Sequence, residues 1–354
     1  MAKNEEIFIE RKKRWKIVIL FLSFLLIISL LTSSIIGFAR ISPIDVAVIL
    51  LSRIPFLNSY MPTLPENIET IILLIRLPRV FAGAVVGSGL AVAGAVFQAI
   101  FRNPMADPYI IGSSSGAALG ATLAIALGFT YTLLGFSAIS LFAFIGTLLA
   151  VFLVYNIARV GGKVPIGTLL LSGIAVSIFL SALVTLIQLT YGERLHVMVL
   201  WLIGGFAYVE WSEVLISLPL VVVSSILLIL YSRQLNIILL GEESAQNLGI
   251  DVQSLRKKLL TLASLATASS VAISGLIGFV GLIVPHITRI LVGPDHRILL
   301  PSSMLLGAVF LIACDSLARV IVIPGELPVG IITATTGAPF FIYLLKKRKE
   351  EYAI

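Results

Sequence analysis

The chain has 354 residues, of which 58% are hydrophobic and only 12% charged, with a formal net charge of +7. A water-soluble domain carries about twice that charged fraction, so the composition excludes a soluble globular protein and predicts an all-α polytopic membrane protein. The single cysteine, Cys314, excludes an intrachain disulfide framework and reads as a packed helix residue.

In chain order, a basic segment at 1–16 precedes an apolar run at 17–39. That run is too long for a signal-peptide core and reads as a retained anchor. Further spans are predicted at 80–101, 109–128, 131–158, 164–190, 212–232, 299–323 and 328–345. Residues 197–209 are apolar but too short to cross, which predicts a re-entrant or interfacial helix. Between Lys258 and Arg289 lies an uncharged stretch of 30 residues, too long for one helix, with Gly275, Gly278 and Gly281 near its middle. It predicts two helices meeting in an irregular turn near 274–280, buried by protein or lining a cavity. The total is about ten spans in a single domain, 1–354. The outer loop 41–70 has no sequence-level role.

Nineteen of the 25 lysines and arginines fall on the side of the N-terminus in this topology. The positive-inside rule then puts both termini, the 233–258 segment and the 346–354 tail in the cytoplasm of a prokaryotic cell. Basic charge so distributed answers to topology and lipid headgroups, not to nucleic acid. The remaining six are Arg40, Arg53, Arg76, Arg79, Arg194 and Arg319. Among the spans, ionisable groups are almost confined to Asp315 and Arg319, one helical turn apart and able to form a local pair. That scarcity counts against an ion-coupled secondary transporter. His196, His286 and His296 lack metal-site spacing, and no catalytic constellation is visible, which counts against a membrane enzyme. Gly161-Gly162-Lys163 is not a phosphate loop, so no cofactor is expected on this chain, and if ATP drives the protein, ATP and its Mg²⁺ are used by another subunit.

Small residues repeat every four positions at Gly83/Gly87 and Gly112/Gly116/Gly120, the spacing of close helix packing. In the 233–258 segment, Gly241, Glu242, Glu243, Ser244, Ala245, Gln246, Asn247, Leu248 and Gly249 read as a short helix. Its acids sit in the first turn and Gly249 stops it in a left-handed conformation. Asp251 suits the N-cap of a second short helix, 252–258. Together they form a rigid protrusion against which a motor subunit can push. On the other side, Arg76, Arg79 and Arg319 offer either snorkelling to headgroups or bidentate docking to an acidic soluble partner.

The segments RLPRVFAGAVVGSGLAVAGAVFQAIFRNPMADPYIIGSSSGAALGA (76–121), LLGEESAQNLGID (239–251), GFVGLIVPHITR (278–289), DHRILLPSS (295–303) and ELPVGIITATTGAPFFIYLL (326–345) resemble the FecCD-type permeases. That resemblance implies the type II ABC importer permease architecture: a homodimer of ten-helix subunits with two cytoplasmic ATPase subunits and an extracytoplasmic binding protein. The cargo class would be iron(III)-siderophore, with cobalamin, haem or molybdate as alternatives. It implies docking at Arg76, Arg79 and Arg319, coupling through 241–258, and a cytoplasmic gate segment at Asn103, Pro104 and Met105. It also implies a path lined by the fifth and tenth spans, at Gly173, Thr333, Thr335 and Gly337.

Overall fold

The structure is a computed structural model describing residues 2–39, 41–56, 62, 64–133, 135–322 and 325–352, with side chains described between Lys12 and Lys346. Arg40, residues 57–61 and 63 of the outer loop, and 353–354 of the tail lie outside the described residues.

The elements in order are α1 (Ala2–Ile35), α2 (Pro43–Ser52), α3 (Glu66–Thr70), a π-helical turn Ile71–Arg76 and α4 (Leu77–Ile100). A 3₁₀ turn, Pro108–Ile111, leads into α5 (Ser113–Leu127). A small antiparallel hairpin, β1 (Thr132–Leu133) and β2 (Phe136–Ser137), precedes α6 (Ala138–Ile157) and α7 (Ile166–Thr190). Then follow α8 (Leu195–Ile203), α9 (Trp211–Leu230), α10 (Ser232–Ile238) and α11 (Glu242–Asn247). The chain ends with α12 (Val252–Ser274), α13 (Val280–Val292), α14 (His296–Ala318) and α15 (Val329–Tyr352). Among the described residues, 7 helical stretches are long and apolar enough to cross a membrane. With α5, α12 and α13 they make the ten expected spans. We call the end carrying 233–258 the basic end and the opposite one the far end.

Two spans are incomplete by length. Helices α5 and α13 have 15 and 13 residues, about 20–22 Å at 1.5 Å per residue, short of a hydrocarbon core of about 30 Å. Each begins inside the bundle. Gly281, near the start of α13, lies against Leu90 and Gly94 in the middle of α4, and Pro108 packs on Gly281. The expected break falls at 275–279, where Gly275 (φ +67°) and Phe279 (φ +69°) take left-handed backbone. The short apolar helix expected at 197–209 is α8.

The loop 41–70 contains α2, whose Ser42 and Asp45 form a capping box. In the π turn the Leu77 N–H reaches back to the Ile72 carbonyl. Pro78 has no N–H to give the carbonyl five residues earlier, Leu73, and the Trp211 indole N–H donates to it instead, at 2.7 Å.

The small residues serve packing, as their spacing predicts. A Cβ on Gly87 would fall 2.1 Å from the Gly307 carbonyl oxygen of α14, and one on Gly94 would fall 1.9 Å from that of Gly281. Gly116 meets Gly146 of α6 in the same way, with a Cβ 2.3 Å from its carbonyl oxygen. Outward faces of α1, α7 and α9 stay apolar, as helices in lipid require. We predict that Gly94→Val lowers the thermal midpoint of the detergent-solubilised protein, at an overpacking cost of at least about 1–3 kcal/mol. Gly167→Ala, where nothing lies within 4 Å, leaves the melt unchanged. Detergent-stability melts followed by size-exclusion fluorescence check both.

Candidate functional site

At the basic end, α10 and α11 form a protrusion. Glu242 and Glu243 occupy the first turn of α11, and Gly249 closes it at φ +80°. The Asp251 side chain accepts from the Gln253 and Ser254 N–H groups, both at 3.1 Å. The second helix, expected to be a separate piece at 252–258, is instead the start of α12 and runs unbroken to Ser274. Nothing stops it after Lys258, because the following apolar residues continue the helix into the bundle.

The protrusion is braced. Buried Arg256 pairs with Glu242 and donates to the Val164 carbonyl at 2.8 Å, while the Val164 N–H donates to Gln253 at 3.2 Å. Sequence reading treats Arg256 as a topology charge at the end of the predicted helix 252–258; its bracing role needs the fold. Asn236 of α10 donates to Asp295 (2.8 Å) and accepts from the His296 N–H (2.9 Å), tying the protrusion to α14. Burial pushes the Asp295 carboxyl up, but hydrogen bonds from Arg297 and Asn236 outweigh it and hold it below the usual carboxylate range. What projects outward is Glu243, Gln246 and Asn247 with Leu240 and Leu248, which are 70% and 63% exposed.

Between the ends lies a joint. The Asn103 side chain accepts from the Met105 N–H (2.9 Å), making the Asn103-Pro104-Met105 turn at the basic mouth. Beyond it the chain turns back into the bundle. Asp107 caps the 3₁₀ turn, and the Tyr109 hydroxyl donates to the Ile277 carbonyl at 3.0 Å. The predicted helix break is therefore bonded to the 3₁₀ turn that follows the predicted gate segment, not to Asn103, Pro104 or Met105 themselves.

The residues expected to line a path are dispersed. Gly173 of α7 is buried against the Ile110 carbonyl, 2.5 Å from where its Cβ would be. Thr333 is buried and donates to the Gly330 carbonyl (3.1 Å), whereas Thr335 is exposed and Gly337 packs on the Phe279 side chain. Helix α15 packs on α8, α13 and α14, and α7 on α5, α6 and the 3₁₀ turn. One subunit does not bring α7 and α15 face to face.

At the far end the three arginines do come together, but turned inward, at 5%, 5% and 3% exposure for Arg76, Arg79 and Arg319. Arg79 Nε donates to Asp315 at 2.9 Å, and its Nη1 pairs with Glu326. Arg319 holds Asp315 from the other side, Nε to Oδ2 at 3.2 Å, which is the expected i,i+4 pair. Arg76 donates to the Ser34 and Ile35 carbonyls at 3.0 and 2.8 Å, and Arg319 to that of Ile36 at 2.8 Å. In this subunit α1's last carbonyls and two acids occupy the guanidinium groups that the sequence offers for docking. Neither Glu326 nor the end of α1 stands out as a partner in the sequence, because both contacts are remote along the chain.

A ten-helix membrane bundle with half-helices meeting at its centre, and a braced helical protrusion at one end, is the fold of the type II ABC importer permeases. A solved structure assigned to the metal-chelate type of ABC transporter, in an inward-facing conformation, superposes with a TM-score of 0.79 at 35% identity, covering 93% of this chain and 99% of that one. The protein belongs to the FecCD transport family, whose pattern matches residues 25–347. It is 49% identical over 285 residues to the cobalamin import system permease protein of Halobacterium salinarum, covering 80% of this chain and 76% of the relative. It is 41% identical over 279 residues to the hemin transport system permease protein of Yersinia pestis, covering 78% and 83%.

Asp315 pairs with two buried arginines, so Asp315→Asn is expected to cost about 3–5 kcal/mol, the cost of breaking a buried pair. Glu326 is 36% exposed, and Glu326→Gln should cost under about 1 kcal/mol. Thermal melts of the two variants in one detergent order them.

Proposed function

We propose that this chain is the membrane-spanning permease of a binding-protein-dependent ABC importer that carries a metal chelate across the cytoplasmic membrane. The observation that carries the reading is the protrusion at the basic end. A surface with Leu240 and Leu248 open to water, fixed by Arg256 and Asn236 to two spans, fits contact with a second protein better than solvent. On this reading the basic end is cytoplasmic and two ATPase subunits seat the protrusions of a homodimer. The separation of α7 and α15 within one copy supports two copies enclosing the path between them.

The mechanism follows from continuity. ATP-driven closure of the ATPase subunits displaces the protrusion, and α12, one uninterrupted helix of 23 residues, carries that displacement to the 275–279 joint. There the Tyr109 bond passes it to the 103–112 segment, and the Phe279 contact passes it to α15 at Gly337. The chain performs no bond chemistry; hydrolysis belongs to the partner.

An extracytoplasmic binding protein docks at the far end. Arg79 is its proposed contact, reached when an incoming carboxylate replaces the half-exposed Glu326, with Arg76 and Arg319 supporting it by holding α1. For cargo we propose an iron(III)-siderophore. The 49% identity to a relative named for cobalamin import favours a corrinoid as the second reading. Proteoliposomes holding the permease, its ATPase and its binding protein distinguish the two by which labelled chelate accumulates. Leu240→Asp with Leu248→Asp is expected to cut ATP-dependent uptake at least about ten-fold, to release the ATPase on co-purification, and to leave membrane insertion intact. Undiminished uptake by that variant, or accumulation without any ATPase, contradicts the proposal.

A further inference from the structure

A cleft of about 340 Å³ opens at the basic end between α1 and the last turn of α13. One wall is Arg14, Trp15 and Val18; the other is residues 290–293. The coupling and transport residues described above do not line it.

Its composition changes with depth. Arg14 stands exposed in the wall at the rim, with exposed Lys13 next to it in the chain, and residues 1–16 hold six cations against Glu5, Glu6 and Glu10. From residue 11 to residue 44 there is no acid. Below the rim the walls are apolar, and exposed Ile17, Phe21, Ile290 and Leu291 prolong them along the bundle surface. Trp15 is fixed at the boundary, its ring lying 5.3 Å from the Arg297 guanidinium carbon. Arg297 is itself paired with Asp295, so its charge is spoken for and it acts as a clamp on the ring.

We propose that this cleft binds the headgroup of an anionic glycerophospholipid, with the phosphate at Lys13 and Arg14 and the acyl chains along Val18, Phe21, Ile290 and Leu291. The order of groups matches such a lipid: cations at the rim, an anchored indole at the interface, then an apolar wall. A free phosphate would use the rim and leave the wall without purpose. Topology explains the number of cations but not a cleft between two spans. Bound lipid bridges α1 to α13, the half-helix that starts at the central joint, and so bears on how freely that helix moves.

Native mass spectrometry of the full chain in detergent micelles tests this, with phosphatidylglycerol, phosphatidylcholine and glycerol 3-phosphate as probes. One phosphatidylglycerol should stay bound per chain after phosphatidylcholine is stripped. Each cation near the surface is worth about five-fold in affinity, so Lys13→Gln with Arg14→Gln should weaken retention at least about ten-fold. Val18→Trp, which fills the cleft without changing charge, should weaken it comparably. Equal retention of the two lipids overturns the proposal, as does undiminished phosphatidylglycerol binding in either variant. Glycerol 3-phosphate binding as tightly as the lipid would assign the cleft to a soluble phosphate instead.

Discussion

The interior of a bilayer offers no water to an open backbone, and this fold depends on how it meets that constraint at two places where helix is interrupted. The 275–279 break and the 3₁₀ turn at Pro108–Ile111 both lie inside the bundle, and each supplies what the other lacks. The Tyr109 hydroxyl satisfies the Ile277 carbonyl (3.0 Å), and the Gly205 N–H satisfies that of Ser274 (2.8 Å). Gly275 takes φ +67° with the Trp201 carbonyl 2.2 Å from where a Cβ would sit, so α8 can approach closely enough to cover the break. A substituent there would separate the covering helix from the backbone it protects.

The same accounting explains the arginines that defy the inward charge bias. Helix ends leave carbonyls without donors, and at the far end three arginines provide them. Arg76 and Arg319 cap the end of α1, and Arg194 donates to the Ile125 carbonyl of α5 at 2.6 Å. Asp315 and Glu326 offset part of the buried charge. Guanidinium suits this work because one planar fork reaches several acceptors at once; Arg319 meets an acid, a carbonyl and the Ser33 hydroxyl together. In the docking proposed above, a partner protein meets a far end whose arginines are already paired, and binding is an exchange of counter-ions.

Much of this was legible in the sequence. Ten spans follow from apolar length, and the break follows from an uncharged run with glycines near its middle. The α11 helix follows from Glu242 and Glu243 in its first turn and Gly249 at its end. Sequence reading left the loop 41–70 without a helix, whereas the structure forms α2 there behind a capping box at Ser42 and Asp45. What stayed hidden depends on contacts remote in sequence. The π turn needs Trp211 to replace a donor that Pro78 lacks, and the inward turn of Arg79 needs Asp315 and Glu326, 236 and 247 residues away. Local pattern left the bracing role of Arg256 unread, because one of its partners, the Val164 carbonyl, is 92 residues away and carries no side-chain signal.

In the proposed mechanism, helix α12 decides how work reaches the centre of the molecule. Two separate short helices would form a hinge at residue 258, and a push on the protrusion would be absorbed there. An unbroken helix of 23 residues, about 34 Å long, behaves as a lever with its far tip at the break. Around that tip the backbone is already irregular, so small displacements meet little resistance from helical hydrogen bonds. Its neighbours are a tyrosine hydroxyl and a phenylalanine ring, on the 3₁₀ turn and against α15. In the proposed mechanism, stiffness along α12 preserves displacement over the membrane's thickness, and the break at 275–279 is where that displacement turns into rearrangement. Close packing of α4 against α13 and α14, at Gly94 and Gly87, gives the lever a fixed wall to move against.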